Sequence, residues 1–200
     1  MKEMRVILPS IERPKKLPVV LGHNEVRQLL KAPKLLKHRL VLAMLYGCGL
    51  RSFELCNLQL KDLDLERKML HVRQGKGRKD RYVPLCAMQV RGLRKYISAE
   101  SPITWCFNGN DSEGNPVALS TTGVRWIVRE ARKHSGIQKE VTTHSLRHSY
   151  ATHLLEMGLD IISVKDLLGH ADIQTTLAYL HVAQLGRQRP FSPLERLYNY

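Results

Sequence analysis

Residues 69–85 of this chain break a pattern that holds over most of its length. Met69, His71 and Arg73 alternate with Leu70 and Val72, and Tyr82-Val83-Pro84-Leu85 follows beyond a short link. Side chains that alternate with a period of two lie on the two faces of a strand. Over most of the remaining sequence the apolar residues recur at three- and four-residue spacing, which is helical. One strand pair set among helices restricts the chain to a mainly α class with one small antiparallel sheet (α+β). The link Gln74-Gly75-Lys76-Gly77-Arg78-Lys79-Asp80 carries two glycines and a charge cluster, as a hairpin connection does.

The helical segments are bounded by start and stop residues. Asn24 is the expected cap of a first helix with Val26, Leu29 and Leu30 on its apolar face. A second helix is expected over about 35–46, ended by Gly47 and Gly49, and a third over 51–58. Further helices are expected over 88–97, from Ser120 to about 134, and over 143–157, 161–168, 173–182 and 193–198. Asp160 and Asp172 suit caps, Gly158 and Gly169 suit stops, and 108–116 reads as a turn-rich loop. Two hundred residues suffice for one sizeable core. Residues 1–17, punctuated by Pro9 and Pro14 with Arg13, Lys15 and Lys16, read as a linker. Residues 18–183 form the expected domain, and 184–200 a tail.

Lys and Arg number 32 against 18 Asp and Glu, a net charge of +14. Such an excess points to an anionic polymer or an anionic membrane surface as partner. No apolar run approaches the roughly 18 residues a membrane helix needs. Cys48, Cys56, Cys86 and Cys106 are scattered without a C-x-x-C pair, which argues against a zinc knuckle and for reduced thiols. The expected compartment is the cytoplasm.

Six residues stand out for their chemistry. Arg51 opens a helix after Gly47-Cys48-Gly49-Leu50, and Glu54 three residues on shares its face and can hold the guanidinium. A planar arginine fork suits two phosphate oxygens. Lys76, between glycines, sits where a backbone can approach closely and an ammonium can give up a proton. Arg78, Lys79 and Arg81 read as phosphate contacts. His144 and Arg147, at i and i+3 of a helix start, face the same way near its positive end. His148 lies at i+4 from His144, a metal-ligand spacing with no third ligand evident, so His148 and His153 read as structural. His170 follows the stop Gly169, and Tyr179 lies nine residues further. A phenol becomes a nucleophile only among cations. Each group has an ordinary reading too: a surface ion pair, a turn lysine, a packed tyrosine. Gathered by a fold, they form a cationic pocket with one nucleophile and no acidic metal cage, suited to a phosphodiester.

The pieces Gly49-Leu50-Arg51 with Glu54-Leu55, Gly75-Lys76-Gly77 with Val83-Pro84-Leu85, His144-Ser145-Leu146-Arg147-His148, Leu167-Leu168-Gly169-His170, and Thr175-Thr176 with Tyr179 and His181 occur in one order. In that order and spacing the chain resembles the catalytic domain of the tyrosine recombinases, the phage-type integrases and Xer-type resolvases. The resemblance implies a DNA strand transferase acting on double-stranded DNA, a homotetramer on two sites when full-length. It implies Tyr179 as the nucleophile that forms a 3′-phosphotyrosyl bond, and Arg51 and Arg147 as the clamp on the non-bridging oxygens. Lys76 becomes the general acid for the 5′ oxygen, His144 assists proton transfer at the tyrosine, and His170 binds the phosphate. No cofactor, metal or ATP is implied, because the covalent link conserves the energy of the broken bond. Ser52 and Phe53 exchange the characters usual at their two positions, and the family's N-terminal DNA-binding domain has no counterpart in these residues, so the chain is expected to be the catalytic part of a longer protein, with a natural minimal recombinase as the alternative. The tail is expected to dock on a neighbouring subunit. The alternatives are a type IB topoisomerase-like nicking and closing activity and a non-catalytic DNA-binding protein.

Overall fold

A computed structural model describes residues 18–73 and 80–184. The linker expected over 1–17, the tail helix over 193–198 and the loop carrying Lys76 lie outside the described residues.

The architecture is helical with small antiparallel sheets, as expected. Helices α1 (His23–Lys31), α2 (Leu36–Gly47) and α3 (Ser52–Cys56) precede strands β1 (Leu63–Asp64), β2 (Met69–Val72) and β3 (Arg81–Pro84). Helix α4 (Ala87–Glu100) leads to strands β4 (Asn108–Asn110) and β5 (Pro116–Ala118). Helices α5 (Thr121–Ser135), α6 (Thr143–Glu156), α7 (Ile161–Leu168) and α8 (Gln174–Gln184) complete the described chain. The strand order β1-β2-β3 is antiparallel, with Leu70 opposite Val83. The turn-rich segment 108–116 does more than turn: β4 and β5 pair as a second sheet around a turn built on Asp111. Three-residue strands with no buried side chain leave no alternation to read. The first helix begins at His23 rather than after Asn24; Gly22 caps it, and Glu25 reaches back to the Gly22 amide at 2.7 Å.

Helix α2 presents Leu40, Val41, Leu42, Met44 and Leu45 to the interior nearly all round its axis. It packs against α1, α4, α5 and α6. A helix so apolar is stable only when covered on all sides. Helix α6 is likewise enclosed and joins two apolar clusters. The larger one spans α1 to α6; the smaller one gathers Tyr150, Ala151 and Leu155 of α6, Val164 and Leu168 of α7, and Tyr179 and Ala183 of α8. The tyrosine expected as nucleophile is therefore held by this small cluster. Cys48, Cys56 and Cys106 are buried thiols, and burial pushes Cys48 up to about 12. No helix among the described residues is long and apolar enough to cross a membrane.

The start of α6 depends on a reciprocal cap. Thr142 Oγ1 accepts the Ser145 amide at 3.1 Å, and Ser145 Oγ accepts the Thr142 amide at 2.7 Å. Thr142→Ala removes half of this box and is expected to cost about 1 kcal/mol in urea unfolding. An unchanged midpoint would show that the tertiary cover of α6 makes the cap redundant.

Candidate active site

Gly49 takes a positive φ of 58°, and the chain then enters α3 with Arg51 as its N-cap residue. Glu54 lies one turn on. Its Oε2 accepts the Arg51 backbone N–H at 2.8 Å, and its Oε1 accepts Arg51 Nη1 at 2.8 Å. The same carboxylate takes both forks of Arg81, at 2.9 and 2.8 Å, and Arg147 Nη1 stands 3.8 Å from Oε2. Three guanidinium groups thus share one carboxylate, and the cluster is net positive. Burial opposes ionisation of Glu54, yet the arginines and the Arg51 amide hold it down at about 2.

The arginines are also fixed by backbone carbonyls. Arg147 donates to Gly49 O and Leu168 O, Arg81 Nε to Leu167 O at 2.7 Å, and Arg51 Nη2 to Gly169 O at 3.5 Å. These acceptors include the unsatisfied carbonyls at the C-terminus of α7, the negative end of its dipole. Gly169 then turns through φ 62° and delivers His170. This gives the run Leu167-Leu168-Gly169-His170 a physical meaning: three carbonyls for arginines, one turn, one imidazole.

His170 Nδ1 is hydrogen-bonded to Thr176 Oγ1 at 2.9 Å, and its ring lies parallel to that of Tyr179, centroids 6.2 Å apart. Burial, then Arg147, Arg51 and Arg81, push His170 down to about 4, so it is neutral at pH 7. Tyr179 is buried in α8, and burial raises its hydroxyl while Arg147 and Arg51 pull it down. His144, exposed at the start of α6, lines a cavity of about 620 Å³ with Arg51, Thr121 and Arg125. Ser52 Oγ donates to Thr143 Oγ1 at 3.0 Å and ties the starts of α3 and α6 together.

Arg51, His144, Arg147, His170 and Tyr179, spread over 129 positions, are therefore neighbours; Lys76 lies outside the described residues. Arg81 departs from the expectation of a phosphate contact: it is 8% exposed and locked to Glu54. The signal was present, since alternation along β3 puts Arg81 on the inner face with Val83. His148 departs too. Its Nδ1 lies 3.0 Å from the Tyr179 hydroxyl, a contact between two helices that helical spacing alone does not reveal. His153 does pack structurally: Tyr46 Oη–H donates to its Nδ1 at 2.8 Å, and His23 stacks on it at 4.0 Å. His23, His153 and Glu156 bring possible ligand atoms within 4.8 Å, but the Tyr46 bond already uses one His153 nitrogen.

Fold and site together define a mainly helical domain that gathers arginines and histidine around a buried tyrosine. Residues 19–185 match the phage integrase family, and the chain belongs to that family. It is 40% identical over 196 residues to a tyrosine recombinase of Thermosipho africanus, covering 96% of this chain and 66% of that protein. It is 41% identical over 171 residues to tyrosine recombinase XerA of Thermococcus kodakarensis, covering 84% and 60% respectively. The chain thus spans about two thirds or less of the length of these curated relatives. The crystal structure of XerA recombinase superposes with a TM-score of 0.76 at 32% identity, over 88% of this chain and 68% of that one. The structure of XerH site-specific recombinase in a post-cleavage complex with its difH substrate gives 0.72 at 26% identity, over 91% and 53%.

Proposed function

We propose that this chain carries the catalytic site of a site-specific DNA recombinase, or integrase, that cleaves and rejoins double-stranded DNA through a 3′-phosphotyrosyl link to Tyr179. The observation that carries the reading is the sharing of Glu54 by Arg51, Arg81 and Arg147 beside a buried phenol. A net positive cluster with fixed donors meets the charge that develops on a phosphate under attack, with no reorganisation at the moment of reaction. The tyrosine recombinases among the relatives, and the XerH complex with its DNA substrate, support DNA as the substrate.

In this reading Tyr179 Oη attacks the phosphorus, and the P–O5′ bond breaks. Arg51 and Arg147 hold the non-bridging oxygens. His170, whose Nδ1 is engaged by Thr176, donates through Nε2 to the phosphate. Lys76 gives the departing 5′ oxygen its proton. A 5′-hydroxyl of the partner strand then attacks the same phosphorus and releases Tyr179. Strand exchange takes place in a homotetramer on two duplexes.

The test uses nicked suicide duplexes drawn from a randomised library, which trap the covalent adduct and report the preferred site. Wild type forms an adduct on a denaturing gel, and Tyr179→Phe forms none. EDTA leaves the yield unchanged. An adduct on Tyr179→Phe, or loss of cleavage with chelator, refutes the reading.

A further inference from the structure

Two histidine rings flank that of Tyr179, His148 at 5.3 Å and His170 at 6.2 Å between centroids, and His144 stands beyond His148. His170 commits its Nδ1 to Thr176 and offers Tyr179 a ring face. His144 stands exposed at the first turn of α6, with its ring 6.4 Å from that of His148. His148, one turn deeper, is half-buried, and its Nδ1 lies 3.0 Å from Tyr179 Oη. Among the described residues this is the hydrogen bond made by the Tyr179 hydroxyl. The family resemblance places proton transfer at the tyrosine on His144; the contact belongs to its neighbour.

We infer that His148 Nδ1 accepts the Tyr179 hydroxyl proton during attack and returns it on rejoining, an assignment that rests on Tyr179 being the nucleophile. In the Nε2–H tautomer the hydroxyl donates to a free lone pair on Nδ1. Burial, then the neighbouring His144 and Arg147, push His148 below the ordinary histidine value, so the neutral base is the resting form at pH 7. Burial of Tyr179 keeps its phenol protonated until an acceptor acts. The groups that face the pair are His144 and Arg147 from α6 and His170 from the turn after α7, with Arg51 from the start of α3 acting on Tyr179. An anionic phosphate seated on Arg51 and Arg147 offsets those cations and favours the imidazolium when the proton arrives. The proton moves from Oη to Nδ1 as the Oη–P bond forms and the P–O5′ bond breaks; the leaving oxygen takes a different proton, from Lys76. On rejoining the Oη–P bond breaks and the imidazolium protonates Oη.

The test compares His148→Asn, His144→Asn and Tyr179→Phe of the full chain on the selected nicked duplex. His148→Asn is expected to slow adduct formation about 100-fold or more at pH 7, with DNA affinity by gel shift unchanged. Its rate is expected to climb between about pH 7 and pH 9, where hydroxide takes over as acceptor, while wild type levels off. A 5′-bridging sulfur, which leaves without a proton, is expected to rescue Lys76→Ala and not His148→Asn. Cleavage by His148→Asn near the wild-type rate with a parallel pH profile, or rescue by the sulfur, overturns the assignment. The nucleophile reading fails separately, through an adduct on Tyr179→Phe. The contact is also read without cleavage: in the free chain, Tyr179→Phe is expected to shift the ¹⁵N resonance of His148 Nδ1 and leave that of His144 in place. An unmoved His148 resonance overturns the assignment as well.

Discussion

Glu54→Gln is expected to destabilise the folded chain by about 3–5 kcal/mol and to abolish adduct formation. The change keeps the shape of the side chain and removes the charge on which Arg51, Arg81 and Arg147 converge. Arg81 and Arg147 are 7% and 4% exposed at the side chain, so water cannot replace the lost partner. A buried ion pair that loses one member leaves the other uncompensated, and here two buried guanidinium groups lose it together. Urea unfolding at pH 7 measures the loss, and a midpoint within error of wild type refutes it. The pH dependence has a defined window. The Glu54 carboxyl sits at about 2 in the fold against an ordinary 4.5, so its contribution is complete above 4.5 and is lost as the pH falls towards 2. The difference corresponds to about 3 kcal/mol, and Glu54→Gln, with nothing to protonate, lacks this part of the acid slope. His170 acts in the same direction at higher pH. It stays neutral in the fold down to about 4 but protonates near 6.5 when unfolded, so stability falls as the pH drops through that interval. His170→Asn is expected to flatten the upper part of the curve.

The helices were legible because each signal is local. Ser120 and Asp160 cap α5 and α7 through their own side chains, and Gly158 and Gly169 take the positive φ that a stop requires. Arg51, His144, Arg147, His170 and Tyr179 were legible as chemistry because cations beside a lone phenol are an unusual set, and the family resemblance supplied their order. What escaped depends on partners distant in sequence. Arg81 looks like the last of a basic cluster until β3 turns it inward to a carboxylate 27 residues away. His148 looks like packing until α8 lays a hydroxyl on it from 31 residues away. The sheet of β4 and β5 rests on backbone pairing and the Asp111 turn and buries no strand side chain, so its strands carry no alternation.

Gly49→Ala is expected to cost more than about 3 kcal/mol and to lower adduct formation beyond what the stability loss explains. Two effects combine. The φ of 58° is unfavourable for any residue with a Cβ, by about 1–2 kcal/mol. The added Cβ also falls 2.5 Å from Tyr150 Cδ1 and 3.2 Å from Leu168 Cδ2. Tyr150 is buried in the cluster that holds α8 and Leu168 belongs to the same cluster, so the ring has little room to swing aside. The backbone at this position also matters chemically, because Gly49 O accepts from Arg147 Nη1 and Leu168 O accepts from Nη2. A shift that relieves the clash moves both anchors of the Arg147 fork and, through the cluster, the helix of Tyr179. Gly47→Ala is the internal control. Its Cβ would meet Gln89 Nε2 at 2.7 Å, a buried amide that donates to Ala43 O, but its φ carries no left-handed penalty, and a smaller loss is expected there. Urea midpoints and adduct rates of the two variants separate the cases. If Gly49→Ala is as stable as Gly47→Ala, the turn before α3 is not what fixes the arginine fork, and the rigidity of the phosphate cradle comes from Glu54 and the carbonyls at the end of α7.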